Sequence, residues 1–309
     1  MTNSQGASPS PASMARTKPA ASVLPNTAAR RNKSALFEYA YIGKVRTSDE
    51  RRAGIGEADY LDRLASLATP EDWDGSDANY ADEKRILRNY VEHTFERIQH
   101  QEKLGTSESE SYTAFNTGLS TPRQETIYGL FRRNSPDPEA WRFHGWQVES
   151  DRILLDNFAT LPDFATYTDN PADYIFDWRR ELKVNVRHVV VDNLARFPAN
   201  LQGDAFGLEL RLKAAVDFAK KRVQHNYKAA VPFWYPVQGQ VQLLLPLSLL
   251  DPVKVDLALV VSRRGEFYRG DTVLTTGMAY NNARLLARPD GDWLHPAVSL
   301  DESGPVCPE

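Results

Sequence analysis

Residues 240–276, QVQLLLPLSLLDPVKVDLALVVSRRGEFYRGDTVLTT, contain the pattern that decides the fold class. Short runs rich in Val and Leu are separated by polar turn residues, which is typical of strands that pair with their sequence neighbours. The RRGE stretch at 263–266 predicts a hairpin turn. Pro246 interrupts the first run and predicts an edge position or a bulge, because proline cannot donate a backbone hydrogen bond. We expect strands over 240–250, 255–263 and 271–280, and a fourth over 282–288.

In the rest of the sequence, the spacing of the apolar residues is in some segments typical of a helix and in others typical of a strand. Apolar residues recur every three or four positions over 208–226, which predicts an amphipathic helix. The same spacing predicts helices over 58–68 and 81–101, and the TPE at 69–71 predicts a further helix start. Segment 185–197 predicts a helix, although its three consecutive valines also suit a strand. Alternating aromatic segments predict strands over 112–119, 125–131 and 140–148.

The order of these elements is helices, strands, helices and strands, without a regular βαβ alternation. This order predicts an α+β fold with a mainly antiparallel sheet and with N-terminal and central helices packed on it. We expect a single globular domain over 34–296, preceded by a disordered basic tail (1–33) and followed by a flexible C-terminal tail (297–309). Residues 1–33 are rich in Ser, Ala and Pro and free of acidic residues, so an organellar presequence is the alternative.

Composition excludes several classes of protein. The 309 residues carry a net charge of −4 and 41% hydrophobic residues, which is ordinary for a globular protein. Cys307 is the single cysteine, so no disulfide framework or zinc ribbon can form, and we expect a cytoplasmic protein. No apolar run approaches the ~18 residues of a membrane span. The sequence lacks Walker, GxGxxG, HExxH and GxSxG motifs, and it indicates no cofactor and no metal.

The charge is unevenly distributed along the chain. Residues 49–110 contain 16 acidic and 8 basic residues, a net of 8 − 16 = −8. Residues 179–228 contain 11 basic and 5 acidic residues, a net of 11 − 5 = +6. A basic segment that is interleaved with aromatic residues is what a phosphate and a stacked base require.

The end of the basic segment supplies most candidate site residues. Arg222 and Lys228 are candidates for phosphate binding, with Asn226 to position the phosphate and His225 as a general acid or base. Tyr227 and Tyr235 are candidates for base stacking. The alternative is a solvated helix end, because cations near a helix C-terminus also complement the helix dipole. The sequence leaves both interpretations open.

Three further segments carry candidates. Asn281, Asn282 and Arg284 could bind a phosphate or a base edge, although turn formation explains the two asparagines equally well. Asn116 ends a predicted strand, where side chains are commonly exposed for function, although turn residues that terminate the strand before Gly118 are the alternative explanation. His188 lies four residues before Asp192, so that on a helix the carboxylate could orient the imidazole for acid–base chemistry.

Several of these segments carry a resemblance to a known family. The stretches LFEYAYIG (36–43), AFNTGL (114–119), NPADYIFDWRRELKVNVRH (170–188), RVQHNYKAAVP (222–232), QLLLPLSL (242–249) and MAYNNARLLARPDGDWL (278–294) resemble the family of unknown function catalogued as number 3825. The resemblance covers about 34–294. Relatives in that family are joined in places to cold-shock or LOTUS-type winged-helix modules, so the resemblance implies an RNA-related setting.

Three functional hypotheses follow. The first is a hydrolase that acts on a phosphate-bearing nucleotide or RNA end, with His188 or His225 as general acid or base. The second is a non-catalytic RNA- or nucleotide-binding domain that uses the same basic and aromatic residues. The third is a protein-interaction domain. A histidine inside a closed phosphate pocket would favour the first hypothesis, and an open basic groove with aromatic side chains would favour the second.

Overall fold

The structure is a computed structural model that describes residues 34–47, 50–51, 53–74, 84–134, 140–289 and 293–294. Both predicted tails, 1–33 and 297–309, lie outside the described residues.

Seven α-helices and ten β-strands occur in these ranges. The helices are α1 (Ala35–Tyr39), α2 (Tyr60–Leu67), α3 (Arg85–His100), α4 (Arg152–Asn157), α5 (Val186–Asn193), α6 (Ala205–His225) and α7 (Thr276–Arg284). The strands are β1 (Ala40–Tyr41), β2 (Gly105–Thr106), β3 (Tyr112–Ser120), β4 (Thr126–Arg133), β5 (Trp141–Val148), β6 (Glu181–Val184), β7 (Val231–Tyr235), β8 (Gln240–Leu247), β9 (Leu257–Arg264) and β10 (Phe267–Thr275).

The strands form two five-stranded sheets. Sheet A has the order β1-β5-β4-β3-β2, and sheet B has the order β6-β10-β9-β8-β7. Neighbours pair antiparallel except at one edge of each sheet, where β1 runs parallel to β5 and β6 runs parallel to β10. The α+β class and the mostly antiparallel pairing are therefore confirmed, and the strands are divided between two sheets.

Alternating side chains divide each sheet between two cores. In sheet B, Leu244 and Val260 face the core that is shared with sheet A and with α1, α2, α3 and α7. Their sequence neighbours Leu245 and Val261 face a second core, which α5 and α6 cover. In sheet A, Phe115 faces the shared core, and its neighbour Ala114 faces a small third core with α4. Helices therefore fill the space between the sheets and also cover the outer face of each sheet.

Side-chain caps fix where several helices begin. Asp59 caps α2, and Asp62 completes a capping box with the backbone of Asp59. Asp204 caps α6 through the backbone N–H of Gly207. Thr275 ends β10 and also caps α7 through the N–H of Met278 at 3.3 Å. One threonine thus ends the last strand and begins the last helix.

The last predicted strand is wrong. Residues 276–284 form a helix, and the segment 282–288 that was expected to be a strand begins in its last turn. The buried residues Ala279, Tyr280, Ala283 and Arg284 have the spacing of a helix face, which outweighs the strand-like composition. The hairpin turn is confirmed, because β9 and β10 are joined at Gly265, whose φ is +57°.

Two smaller corrections concern prolines. Pro246 lies in β8, which is an interior strand, but pairing with β7 ends at Leu244, so no strand faces the nitrogen of Pro246 on that side. No helix starts at Pro70. The backbone N–H and the hydroxyl of Thr69 both donate to Ser120 O, which ties this segment to the end of β3.

Candidate nucleic-acid interface

The basic segment 179–228 forms the layer that covers the outer face of sheet B. It contains edge strand β6 and helices α5 and α6, whose buried residues pack on one side of that sheet. The acidic segment 49–110 contributes α2, α3 and β2, which pack around sheet A and the shared core. The basic and the acidic segments of the sequence therefore lie in two different parts of the folded protein.

An open groove lies on the exposed face of α6. Trp178, Asp217, Lys220, Lys221 and Gln224 line it, and its volume is about 360 Å³. Lys220 and Lys221 lie three and four positions after Asp217 and four and three positions before Gln224, so the four residues share one face of the helix. The opposite face of α6 is buried against sheet B. The spacing of the polar residues on α6 therefore places the groove face of this helix in solvent.

The lysines of the groove are available to an anion. Among the described residues, neither Lys220 nor Lys221 forms an ion pair, whereas Arg180 is paired with Asp177. The Arg179 guanidinium lies 4.9 Å from the centre of the Trp178 ring, a cation–π distance that holds positive charge beside the indole. The groove thus combines two free lysines with one aromatic surface.

Aromatic side chains in the groove, on α6 and just after α6 are exposed. Trp178 is 39% exposed, and Phe206 and Phe218 on α6 are 73% and 61% exposed. Tyr227, a predicted stacking residue, is 62% exposed just after α6. Of these rings, Trp178 lies beside the lysines in the groove.

The predicted residues at the end of α6 lie together and in solvent. Arg222 is half-buried, and His225, Asn226, Tyr227 and Lys228 are exposed. The Asn226 side chain accepts a hydrogen bond from the Lys228 backbone N–H at 3.1 Å. This asparagine ends α6 and starts a single 3₁₀ turn.

His188 lies in the same layer but at the other edge of sheet B. Its Nε2 is 3.1 Å from Oδ2 of Asp192, which is the contact that the four-residue spacing predicted. Both side chains are about half exposed. Helix α5 packs against β10, whereas Lys228 leads into β7, three strands away. Three strand spacings amount to ~14 Å, which separates the strand beneath α5 from the strand that follows Lys228.

The candidates on α7 lie on the opposite face of sheet B. Asn281 accepts a hydrogen bond from Asn89 of α3 at 3.2 Å, and Asn282 is half-buried. Tyr235 is also partly buried and packs against the shared core. Sheet B therefore separates these three residues from His188 and α6. The structure brings the predicted residues together in groups and does not unite them in one site.

Arg284 has an internal partner. Its Nε donates to Oε1 of Glu71 at 2.6 Å and its Nη2 donates to Oε2 at 3.1 Å, with both side chains only 5% exposed. The guanidinium also lies 4.3 Å from the centre of the Tyr90 ring and 4.8 Å from that of Trp73. Burial works to lower the pKa of Arg284, but the hydrogen bonds and charge of Glu71 outweigh it, so the pKa is raised.

Asn116 lines a second cavity, of about 270 Å³, between α3 and the end of β3. Its Nδ2 donates to Pro162 O at 3.2 Å, and its Oδ1 accepts from Gly118 N at 2.9 Å. Gly118 has a φ of +70°, and a Cβ there would lie 2.7 Å from the Tyr90 hydroxyl oxygen. The AFNTGL motif therefore shapes this cavity wall.

Sequence reasoning missed several residues of these two regions. Trp178 was not a candidate, although it stands in the basic WRR run at 178–180 that could have drawn attention to it. Glu71 and Tyr90 gave no signal, because their roles depend on contacts with Arg284 from the other end of the chain. Thr94 and His93 gave none either, because helical spacing does not reveal which polar residues of a helix are buried.

Two classes of feature are absent from the part of the chain that the structure describes. No group of three or more His, Cys, Asp or Glu side chains is arranged to hold a metal ion there. Nor does any described helix combine the length and the apolar character needed to cross a membrane.

Comparison with protein-family models gives a match over residues 64–293 to the family described as Domain of unknown function (DUF3825). The chain belongs to this family. The matched range includes both the α6 groove and the cavity beside Asn116, and it confirms the resemblance found in the sequence. No curated protein and no solved structure matches the chain. Family membership assigns no activity to this chain.

Proposed function

We propose that this protein binds single-stranded RNA through the groove on α6. The observation that carries the proposal is the open groove in which Lys220 and Lys221 stand beside the exposed ring of Trp178. Lysines without a carboxylate partner attract backbone phosphates, and an exposed indole stacks on a base of any sequence. Asp217 and Gln224 supply hydrogen-bonding groups for a ribose hydroxyl or a base edge.

The geometry favours binding over catalysis. General acid–base catalysis needs an imidazole that is held within hydrogen-bond reach of the reacting group. His188 and His225 are both exposed, and neither lines the groove or the cavity beside Asn116. The hydrolase therefore stays a prediction, to be tested by incubating the protein with nucleotides and RNA and separating the products. A cytoplasmic location, where RNA is abundant and Cys307 stays reduced, fits the RNA-binding function.

The proposal is tested by fluorescence anisotropy of a labelled oligouridine of about 12 nucleotides. The test variant is Lys220→Glu with Lys221→Glu. The matched control is Arg123→Glu with Arg132→Glu, which makes the same charge change on two exposed residues, one in the turn between β3 and β4 and one on β4. Titrations are made between about 50 and 200 mM KCl, since affinity depends on salt through counterion release.

We expect the groove variant to bind more weakly and to lose about 0.7 from the slope of log K against log salt for each phosphate contact removed. The control variant should keep the wild-type slope. Equal losses in the two variants would mean that net charge alone drives binding, and the groove would then have no role. Absence of binding by the wild type at the lowest salt concentration would favour the protein-interaction hypothesis.

A further inference from the structure

The cavity beside Asn116 has a lining without charge. It lies between α3, the ends of β3 and β4, and the segment 164–167, and Tyr90, Thr94, Asn116, Ser120, Phe164 and Tyr167 are among its lining residues. No lining residue is acidic or basic. Because drug-sized ligands occupy pockets of roughly 300–1,000 Å³, a cavity of about 270 Å³ suits a smaller molecule. The ligand must therefore be small, and the part that enters must be uncharged.

Thr94 supplies a buried polar group that needs a partner. It is 2% exposed, and its Oγ1 has no hydrogen-bond partner of normal geometry among the described residues. The hydroxyl is near Tyr90 and Tyr167 and lowers the pKa of both, but burial is the larger effect and raises them. A buried hydroxyl without a partner costs ~1–3 kcal/mol, so a ligand that bonded to it would recover this free energy.

Neighbouring groups in the cavity have spare hydrogen-bonding capacity. Tyr90 OH donates to Thr117 O at 2.8 Å, and its oxygen also interacts with the Arg284 guanidinium. Tyr167 OH donates to Leu285 O at 3.0 Å, and a phenolic oxygen that donates can also accept. The Asn116 amide uses one donor and one acceptor in the bonds described above, and an amide has further capacity for each. The walls thus offer donors and acceptors in fixed positions.

The wall formed by 164–167 is held in place by α3. Lys103 Nζ donates to Phe164 O at 3.0 Å, and Arg97 Nε and Gln101 Nε2 donate to Thr166 O at 3.0 and 2.7 Å. Phe164 is 61% exposed at this wall, whereas the nearby ring of Tyr167 is mostly buried. A pocket with fixed walls binds without a large ordering cost. The exposed Phe164 ring offers a flat apolar surface to a ligand that enters.

We propose that this cavity binds a single nucleobase or nucleoside, with any attached phosphate left outside. A base is planar and uncharged, and its edge carries both donors and acceptors, as the walls require. Its ring contacts Phe164 and Tyr167, while its edge reaches Thr94 and Asn116. The α6 groove lies beyond sheet B from this cavity, so the proposal does not depend on RNA binding by that groove.

The test is isothermal titration calorimetry of the full chain with adenosine, guanosine, cytidine and uridine. Each is compared with ribose and with its 5′-monophosphate. The first variant is Thr94→Val, which removes the hydroxyl and keeps the shape of the side chain. Its matched control is Thr113→Val, the same change at a buried threonine whose hydroxyl bonds to Tyr39 OH at 2.9 Å, outside the cavity lining. The second variant is Phe164→Ala, at an exposed position where the fold loses little.

We expect at least one nucleoside to bind and ribose not to bind. Thr94→Val should raise the dissociation constant about 2- to 12-fold, which is the range expected for the loss of one hydrogen bond. The melting temperature of this variant should be equal to that of the wild type or higher. Thr113→Val should keep the affinity and lower the melting temperature. Phe164→Ala should also weaken binding. The Lys220→Glu, Lys221→Glu variant should bind nucleosides like the wild type, which separates this site from the groove.

Three results would overturn the proposal. The first is that none of the nucleosides binds the wild type at millimolar concentration. The second is equal affinity in the wild type, Thr94→Val and Phe164→Ala, which would place binding elsewhere. The third is ribose that binds as tightly as the nucleosides, since a sugar without a base would then be the ligand. A 5′-monophosphate that binds as well as its nucleoside supports the proposal, because the phosphate is expected to lie outside.

Discussion

Arg284 and Lys221 are both cations near the C-terminal end of a helix, and the structure uses them in opposite ways. Arg284, the last residue of α7, is 4% exposed and bonds to Glu71 through two hydrogen bonds. Lys221, in the last turns of α6, is exposed in the groove and forms no ion pair among the described residues. Position in a helix therefore explains why a cation is tolerated there, but it does not show whether the cation is free to bind a ligand.

The physical reason for the difference is the packing of each helix. Helix α7 is enclosed between sheet B and α3, where a charge without a partner would be very costly, so Glu71 is needed. Helix α6 has one face on sheet B and the other in solvent, where water hydrates a lysine without help. The buried region is therefore expected to control stability, and the exposed region is expected to control the proposed RNA binding.

The largest effect is expected at the buried pair. Arg284→Ala leaves the Glu71 carboxylate buried without its partner, which should cost ~3–5 kcal/mol of the free energy of unfolding, measured by urea denaturation. The exposed control Arg123→Ala should change it by less than ~0.5 kcal/mol. At a temperature where both variants are folded, RNA affinity should match the wild type. If Arg284→Ala were as stable as the control and lost RNA affinity, Arg284 would be a ligand-binding residue.

A smaller effect is expected from His93, which lies on α3 and stacks on Tyr167 with ring centres 6.1 Å apart. Burial, aided by the charge of Arg97, lowers the pKa of His93 from 6.5 to about 4. Between these two values the unfolded chain binds more protons than the folded chain. The free energy of unfolding should therefore fall as the pH falls from 6.5 towards 4, by at most ~1.4 kcal/mol per pH unit from this group.

His93→Gln should flatten this part of the stability–pH curve, measured by urea denaturation at several pH values. His100→Gln is the control, because His100 lies on the same helix with its side chain 74% exposed. If both variants kept the wild-type slope, protonation of His93 would not be coupled to unfolding.

The smallest effect is expected on the exposed side, at Trp178. Trp178→Ala should weaken binding of oligouridine by ~1–3 kcal/mol if its ring stacks on a base, measured by the same anisotropy titration. Stability should change less than in Arg284→Ala, because the side chain is 39% exposed and its removal leaves no buried charge without a partner. Tyr41→Ala removes another exposed aromatic ring, 64% exposed beside sheet A, and should leave the affinity unchanged. Equal affinity in the two variants would remove the stacking contact from the proposal.

The fold was predictable wherever the apolar period was regular. Helix α6 and strands β3, β4 and β5 lie close to the positions that their periods predicted. The spacing of apolar residues gave a wrong prediction at 276–284. The composition there is typical of a strand, but these residues form a helix whose start is fixed by the cap at Thr275. The spacing also could not show that the strands form two sheets, because the apolar face of a strand does not identify the element that covers it.

The candidate sites were predictable only in part. The basic character of 179–228 was visible in the sequence, and the structure places that segment on one face. The same sequence offered Arg284 as an anion clamp, whereas the structure shows it bonded to a carboxylate 213 residues away. The sequence identified Asn116 only as the end of a predicted strand. It did not predict the cavity, because the other walls of the cavity come from α3 and 164–167.

The sequence by itself determined the α+β class, the helix and strand periods, the uneven charge and the membership of the DUF3825 family. These properties depend on residue spacing along the chain, which sets the faces of each element. The tertiary structure alone decided which cations are exposed, which polar groups are buried and where the cavities lie. Those properties depend on contacts between elements distant in sequence, whose desolvation and pairing energies no local pattern contains.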